Sequence, residues 1–177
     1  VEETVGLLGI KWNLPSDSLC IDVTPKDDEI KTKRQLLSNL ASVFDPIGLA
    51  TYITTPAKLL VQQCFREDLD WDTELPEHIQ REVDGWMSKI NNIATVSCPR
   101  RISMLSSNRL KWQLHVLGDA SQWVYAAIAF ARSEDSNGQV DVRFLASKTR
   151  LGPIKGLTIP RMELAACVLV SRLSNLL

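Results

Sequence analysis

Two carboxylates in this chain have the residue type and setting that metal chemistry needs. Glu163 is the only charge in the apolar run 162–170, and a charge buried with such a run is costly unless it is neutralised, paired or bound to a metal. Asp119 ends an alternating stretch and precedes the small residues Ala120 and Ser121, which leave room for a ligand. Both acids are therefore candidates for one site.

The chemistry follows from what happens if the two acids meet. Two carboxylates that converge repel each other, and one holds its proton at neutral pH unless a cation lies between them. Carboxylate oxygens suit Mg²⁺ or Mn²⁺, and two such ions about 4 Å apart form the usual arrangement for phosphodiester hydrolysis. The alternative is structural, since an Asp at a strand end often forms a turn and a Glu in a first helical turn favours the helix dipole.

The segment between the acids is basic. No acidic residue occurs in the stretch 142–162. We predict that four of its cations contact phosphates and give salt-dependent affinity for nucleic acid; they are Arg143, Lys148, Arg150 and Arg161. The alternative is an ordinary solvated face.

The elements that must position these residues can be read from the periodicity of the second half. Alternation at Trp112, Leu114 and Val116 predicts a strand that ends near Asp119. Two further strands are predicted over 125–130 and 140–146, joined by an Asn-Gly turn. Pro160 begins a helix with Glu163 in its first turn, and this apolar helix is expected to lie against the sheet. The second half is thus a three-stranded antiparallel meander followed by a helix.

The first half is predicted to hold a hairpin and three helices. Its strands are expected over 7–12 and 19–23, around a turn at 15–18. The helices begin at Thr32, as N-cap with Gln35 in a capping box, at Thr55 before Pro56, and at Pro76. Each has one apolar face, so the three should pack as a small bundle.

These elements define an α+β fold with four segments. They are a hairpin (1–30), a helical segment (31–95), a linker (96–111) and the meander with its helix (112–177).

Composition narrows the function classes. The chain has 177 residues and a net charge of −1, which is no global signature of nucleic-acid binding. Its four cysteines lie far apart and its two histidines are not at zinc-ligand spacing. We expect reduced thiols in an intracellular protein. No apolar run approaches the ~20 residues of a membrane span, and no signal peptide is visible.

Several blocks of the sequence resemble the ribonuclease H region of Bel/Pao-type retrotransposon polyproteins and the reverse-transcriptase segments before it. Three blocks resemble the ribonuclease H part: Gly118–Ser121, Ser147–Arg150 and Leu157–Leu164. Four resemble the end of the polymerase palm, the thumb and the connection: Leu8–Asn13, Thr32–Arg34, Ser42–Leu49 and Leu69–Asp72. The resemblance covers nearly the whole chain.

The resemblance implies a fold, a reaction and a partner. The hairpin would be the end of the palm, the helices the thumb and connection, and 112–177 the first half of a ribonuclease H-like fold. Asp119 and Glu163 would be the first two catalytic acids, binding Mg²⁺ or Mn²⁺ to hydrolyse RNA in an RNA–DNA hybrid. The family's remaining carboxylates follow later elements, so we expect a polyprotein fragment with an incomplete metal site. The resemblance also implies a cytoplasmic virus-like particle or the nucleus as its location.

Two other functions remain open. A truncated or domesticated copy would be a non-catalytic module that binds nucleic acid or a partner. The region has also been grouped as a Pao retrotransposon peptidase family, but an aspartic peptidase needs Asp-Thr-Gly or Asp-Ser-Gly. Neither tripeptide occurs in the sequence, which argues against peptidase activity.

Overall fold

The computed structural model describes residues 3–7, 9–27, 29–91, 93–106 and 109–177. Within these residues it confirms the α+β class, with four helices and two antiparallel sheets. Leu8 of the first predicted strand and positions 107 and 108 of the predicted linker lie outside the described residues, as do positions 1, 2, 28 and 92. None of the described helices has the length and apolarity that crossing a membrane requires.

The first sheet has four strands in the order β1-β2-β3-β4. Their bounds are β1 Thr4–Leu7, β2 Ile10–Asn13, β3 Ser18–Asp22 and β4 Thr95–Pro99. The predicted hairpin is confirmed by β2 and β3, which pair around the turn after Asn13. Only the start of its first strand, predicted at 7, is wrong, because a turn with Gly9 at φ +88° separates β1 from β2. The start of the predicted linker is also wrong, because 95–99 forms β4 and pairs with β3, from Ser18 opposite Pro99 to Asp22 opposite Thr95.

Three helices connect β3 to β4: α1 Lys33–Ser42, α2 Thr51–Arg66 and α3 Glu77–Ile90. The predicted capping box is confirmed, with Thr32 and Gln35 each satisfying a backbone N–H of the other. The predicted start of α2 at Thr55 is wrong, and Pro56 lies inside the helix. The carboxylate of Asp45 accepts the N–H groups of Leu49 and Ala50, both at 2.8 Å, and so holds the loop from which α2 begins at Thr51.

The helices pack α1 on α2 and α2 on α3, which confirms the predicted bundle. The apolar stripe predicted for α3 is fully buried; it consists of Ile79, Val83, Trp86, Met87 and Ile90. Helical spacing predicts that Phe44 and Phe65 lie on the buried faces of the first two helices; this is wrong, because both residues are about half exposed. Phe65 packs edge-on against Trp71, with ring centroids 5.8 Å apart, and this pair flanks the buried ammonium group of Lys33.

The second sheet is the predicted antiparallel meander, in the order β5-β6-β7. Its strands are β5 Lys111–Ala120, β6 Val124–Glu134 and β7 Val140–Leu151, and α4 Ile159–Ser174 packs on one face. Small side chains on β6, Ala127 and Ala129, are fully buried beneath Leu169 and Leu173 of α4. These alanines let the helix approach the sheet closely.

A set of polar contacts holds the helical bundle against the second sheet. The N–H of Ser147 donates to the Ile47 carbonyl at 2.8 Å, and the Ser147 hydroxyl donates to the Gly48 carbonyl at 2.7 Å. Further along α2, the Gln62 side chain donates to the Gly152 carbonyl at 2.7 Å. The bundle and the sheet therefore share an interface along β7.

Candidate functional site

The helix α4 packs closely on β5 at Gly118. Gly118 has no side chain, and a Cβ atom added there would lie 2.5 Å from Val170 Cγ2 and 3.3 Å from the carbonyl oxygen of Ala166. Both distances are too short for an ordinary contact with a side chain. The glycine is therefore what allows α4 to pack on the strand beside Asp119.

A second contact shows which way α4 runs. The Met162 side chain packs against Gly152, where an added Cβ would lie 2.9 Å from its terminal carbon. The N–H of Gly152 donates to the Trp123 carbonyl at 2.7 Å, and Trp123 lies in the turn that follows β5. The first turn of α4 therefore lies at the end of the sheet where β5 ends, one residue after Asp119.

Glu163 lies on the side of α4 that faces β5. It precedes Val170 by seven residues, or two helical turns, so both occupy the same helix face. Glu163 is about 4.5 Å along the helix axis from Ala166, and Asp119 is about 3.3 Å along the strand from Gly118. Both steps lead toward the same end of the sheet, but the distance between the carboxylates, and so a shared metal, stays a prediction.

The two acids approach that end from opposite faces of β5. Successive side chains on a strand alternate, and because Gly118 faces α4, Asp119 faces away from it. Asp119 accordingly lines a mostly apolar cleft of about 550 Å³ with Leu117 and Tyr52, between the sheet and the start of α2. The two carboxylates would therefore have to reach a shared metal ion from opposite faces of β5.

Both carboxylates are available to a ligand. The expectation that Glu163 is buried is wrong: its side chain is exposed. The reason is that α4 covers the sheet along one stripe only, through Met162, Ala166, Leu169 and Leu173. Glu163 forms no hydrogen bond or ion pair with the described residues. Asp119 is also exposed, and among the described residues its carboxylate accepts a hydrogen bond only from the N–H of Ala120, at 2.8 Å.

The predicted Mg²⁺ site does not require a complete set of protein ligands. No three His, Cys, Asp or Glu side chains converge on a metal position among the described residues. Mg²⁺ usually keeps several waters and binds through one or two carboxylates together with substrate phosphates. A Mg²⁺ ion bound through Asp119 and Glu163 therefore stays a prediction, and its remaining ligands would be water and phosphate oxygens.

The four predicted phosphate contacts do not form one surface. Arg143 lies opposite Ala131 while Arg150 lies opposite Tyr125, about 23 Å apart along β7. Arg143 also forms an ion pair with Asp141 at 3.0 Å, and both side chains are largely buried. The N–H of Met104 and then Arg143 hold the pKa of Asp141 below its usual value.

The other predicted cations are more open. Lys148, Arg150 and Arg161 are exposed, and of the three only Lys148 has a hydrogen bond among the described residues, a 3.4 Å contact to the Pro46 carbonyl. Whether any of them contacts phosphate stays a prediction.

Two residues of interest were missed by the sequence analysis. Tyr52 is 62% exposed and lines the cleft that Asp119 lines, although 67 positions separate them in the chain. Arg172 lies in the last turn of α4. Arg172 could have been predicted from its helical spacing to Arg161, because residues i and i+11 lie on the same helix face. No short-range pattern in the sequence places Tyr52 near Asp119.

Comparison with known proteins identifies the family to which the region belongs. The family model of the Pao retrotransposon-like RNaseH-like domain matches residues 32–177, a range that includes both acids and all four predicted cations. No curated protein matches the chain.

Proposed function

The chain belongs to the family of Pao retrotransposon-like RNaseH-like domains, and on that basis we propose that Asp119 and Glu163 act together in hydrolysis of the RNA strand of an RNA–DNA hybrid. The reaction would require Mg²⁺ or Mn²⁺ and would take place within a retrotransposon Pol polyprotein. The chain would there span the junction between the reverse transcriptase and the nuclease.

The observation that carries this proposal is the placement of the acids. The first turn of α4 lies at the end of the sheet where β5 ends, so Glu163 and Asp119 belong to one end of the fold. Both are exposed carboxylates without a cationic partner among the described residues. A purely structural pair would be expected to cap a helix or pair with a nearby Arg or Lys.

The side chains have separate roles in this scheme. Asp119 and Glu163 would hold the metal from the two faces of β5, and the surrounding waters and phosphate oxygens would fill its remaining positions. When bound, the ion supplies the positive charge that activates the attacking water and stabilises the leaving oxygen. Lys148 and Arg150 lie on β7, two strands away from Asp119 on β5, and would hold phosphates of the hybrid away from the metal, the lysine as a point charge and the arginine as a planar fork of donors.

A cleavage assay tests the proposal. A labelled RNA–DNA hybrid is incubated with Mg²⁺ and either this chain or a version extended past Leu177. We expect Asp119→Asn and Glu163→Gln each to lower the cleavage rate of the active version at least about 100-fold, because the metal contributes several kcal/mol and each 1.36 kcal/mol is a factor of ten. Glu82→Gln, which removes an exposed helical carboxylate from α3, is the matched control and should leave the rate unchanged.

Two outcomes would refute the proposal. Cleavage that survives both substitutions would assign the reaction to other residues. An extended chain that binds the hybrid and does not cut it in Mg²⁺ would instead support the non-catalytic module.

A further inference from the structure

A second concave surface lies on the far side of α4 from Glu163. It is a groove of about 640 Å³ between α4 and the outer part of the sheet, and we call it the α4–β7 groove. Its polar lining consists of Tyr125 on β6, Lys148 and Arg150 on β7, and Arg172 on α4. Apolar side chains of α4 form the rest of its lining.

Register and helical spacing explain why three cations meet there. Lys148 lies opposite Ala127 and Arg150 lies opposite Tyr125, and Ala127 is buried beneath α4. Residues directly opposite each other share a face of the sheet, so both cations stand on the face that α4 covers. They lie beside the helix because α4 packs mainly on β5 and β6, and β7 is the edge strand next to β6.

Arg172 reaches the same groove from the helix. It follows Ala165 by seven residues and Val168 by four, and all three line the groove, as expected for one helix face. Glu163 and Val170 occupy the opposite flank, against β5. The helix therefore separates the predicted metal site from the three cations.

The three cations that line the groove have no acidic partner among the described residues. No Asp or Glu lines it among the described residues. Arg150 and Arg172 form no hydrogen bond or ion pair with the described residues, and both are exposed. Arg132, by contrast, pairs with Glu134 at 2.7 Å. The helix dipole accounts for a cation in the last turn of α4, but it does not account for two more on the facing strand.

We propose that the α4–β7 groove binds the sugar–phosphate backbone of a nucleic acid strand. This inference rests on the proposed function, which supplies nucleic acid as the ligand. The groove is a binding site separate from Asp119 and Glu163. Lys148 and Arg150 are two residues apart on one strand, so their Cα atoms lie about 6.6 Å apart and can engage successive phosphates. Arg172 faces them across the groove, and Tyr125 supplies an aromatic surface of the kind on which bases stack. A strand held here is anchored without occupying the metal site.

Salt-dependent binding tests the groove without needing catalysis. A short fluorescein-labelled oligothymidylate is titrated with the 177-residue chain in EDTA, and the dissociation constant is followed by anisotropy from 50 to 200 mM salt. Each phosphate contact contributes about 0.7 to the slope of log affinity against log salt for a single strand. The double variant Arg150→Gln/Arg172→Gln should therefore lower that slope by about 1.4, so that wild-type affinity falls about sevenfold more than the variant's over this range.

Three companion measurements define the outcomes. Arg132→Gln/Arg143→Gln removes two cations that are already paired, and it should change the slope by much less. Asp119→Asn/Glu163→Gln should keep the wild-type slope, so that the groove and the nuclease proposal can fail separately. Unlabelled oligothymidylate should displace the label far better than polyglutamate of equal charge.

Each contrary result overturns the assignment. An unchanged slope in the groove variant means that the groove does not hold the strand. An equal loss in the control pair means that only net charge matters. Equal displacement by polyglutamate means that the groove accepts an acidic peptide.

Discussion

Replacing Gly48 with alanine should weaken the packing of the helical bundle against the second sheet and lower the stability of the protein. Gly48 has φ +77°, and a Cβ added there would lie 2.2 Å from the carbonyl oxygen of Ser147 and 2.6 Å from its hydroxyl oxygen. The first of these atoms belongs to the backbone of β7, so it cannot rotate out of the way. The loop around Gly48 must then move away from the sheet.

The structure sets the size of the effect. A left-handed backbone costs a residue with a Cβ about 1–2 kcal/mol, and overpacking a closed contact costs about 1–3 kcal/mol more. Lifting the loop to relieve the clash would break the two hydrogen bonds that Ser147 makes to Ile47 and Gly48, each worth about 0.5–1.5 kcal/mol. We therefore expect the free energy of unfolding to fall by about 2–5 kcal/mol.

Gly138→Ala is the matched control. Gly138 has almost the same φ, +79°, but an added Cβ would meet no atom within 4 Å, so only the backbone cost of about 1–2 kcal/mol applies. Urea unfolding followed by tryptophan fluorescence should place Gly48→Ala about 1–3 kcal/mol below the control, and its Tm about 2–12 °C lower. Equal losses in the two variants would refute the reasoning, because they would mean that the contact with Ser147 carries no weight.

Three further substitutions probe other contacts. Trp86→Phe removes a buried indole N–H that donates to an α2 carbonyl at 3.0 Å; urea unfolding should show a loss of about 1–3 kcal/mol, and no loss would contradict the bond. The N–H of Thr24 is the largest cause that lowers the pKa of Asp22 from 3.8 to about 2, so this stabilisation is present above about pH 4 and is lost as the pH falls toward 2. Melting temperature against pH should accordingly fall less steeply over that interval in Asp22→Asn, and parallel curves would argue against it. Arg66→Gln removes a guanidinium 5.0 Å from the centre of the Trp123 ring, which is worth about 0.5–1 kcal/mol at an exposed site; a double-mutant cycle with Trp123→Leu should give that coupling, and a value near zero would exclude it.

Local signals in the sequence predicted the elements that carry the site. The capping box at Thr32 and Gln35, the stripe of α3 and the meander with its Asn-Gly turn are all present in the structure. Each depends on residues within a few positions of each other, such as a cap, a helical period or a hairpin turn. That is why they could be predicted from the chain alone.

Predictions failed where a distant partner decides the outcome. The strand β4 exists because β3, more than 70 positions away, supplies its hydrogen bonds. The exposure of Phe44 and Phe65 depends on what the rest of the chain leaves uncovered. Arg143 differs, because it was predicted to contact phosphate but pairs with Asp141, two residues away on the same face of β7.

By itself the sequence determined the types of element, the family resemblance and the choice of Asp119 and Glu163 as candidate acids, because these depend on residue type and short-range spacing. Only the tertiary structure decided how the acids are presented. The missing side chain at Gly118 lets α4 pack directly on β5, and the contact between Met162 and Gly152 sets the direction of the helix. The register of β7 against β6 then selects which cations face the groove and which pair with neighbouring acids. These are contacts between segments far apart in the chain, and periodicity within one segment carries no information about them.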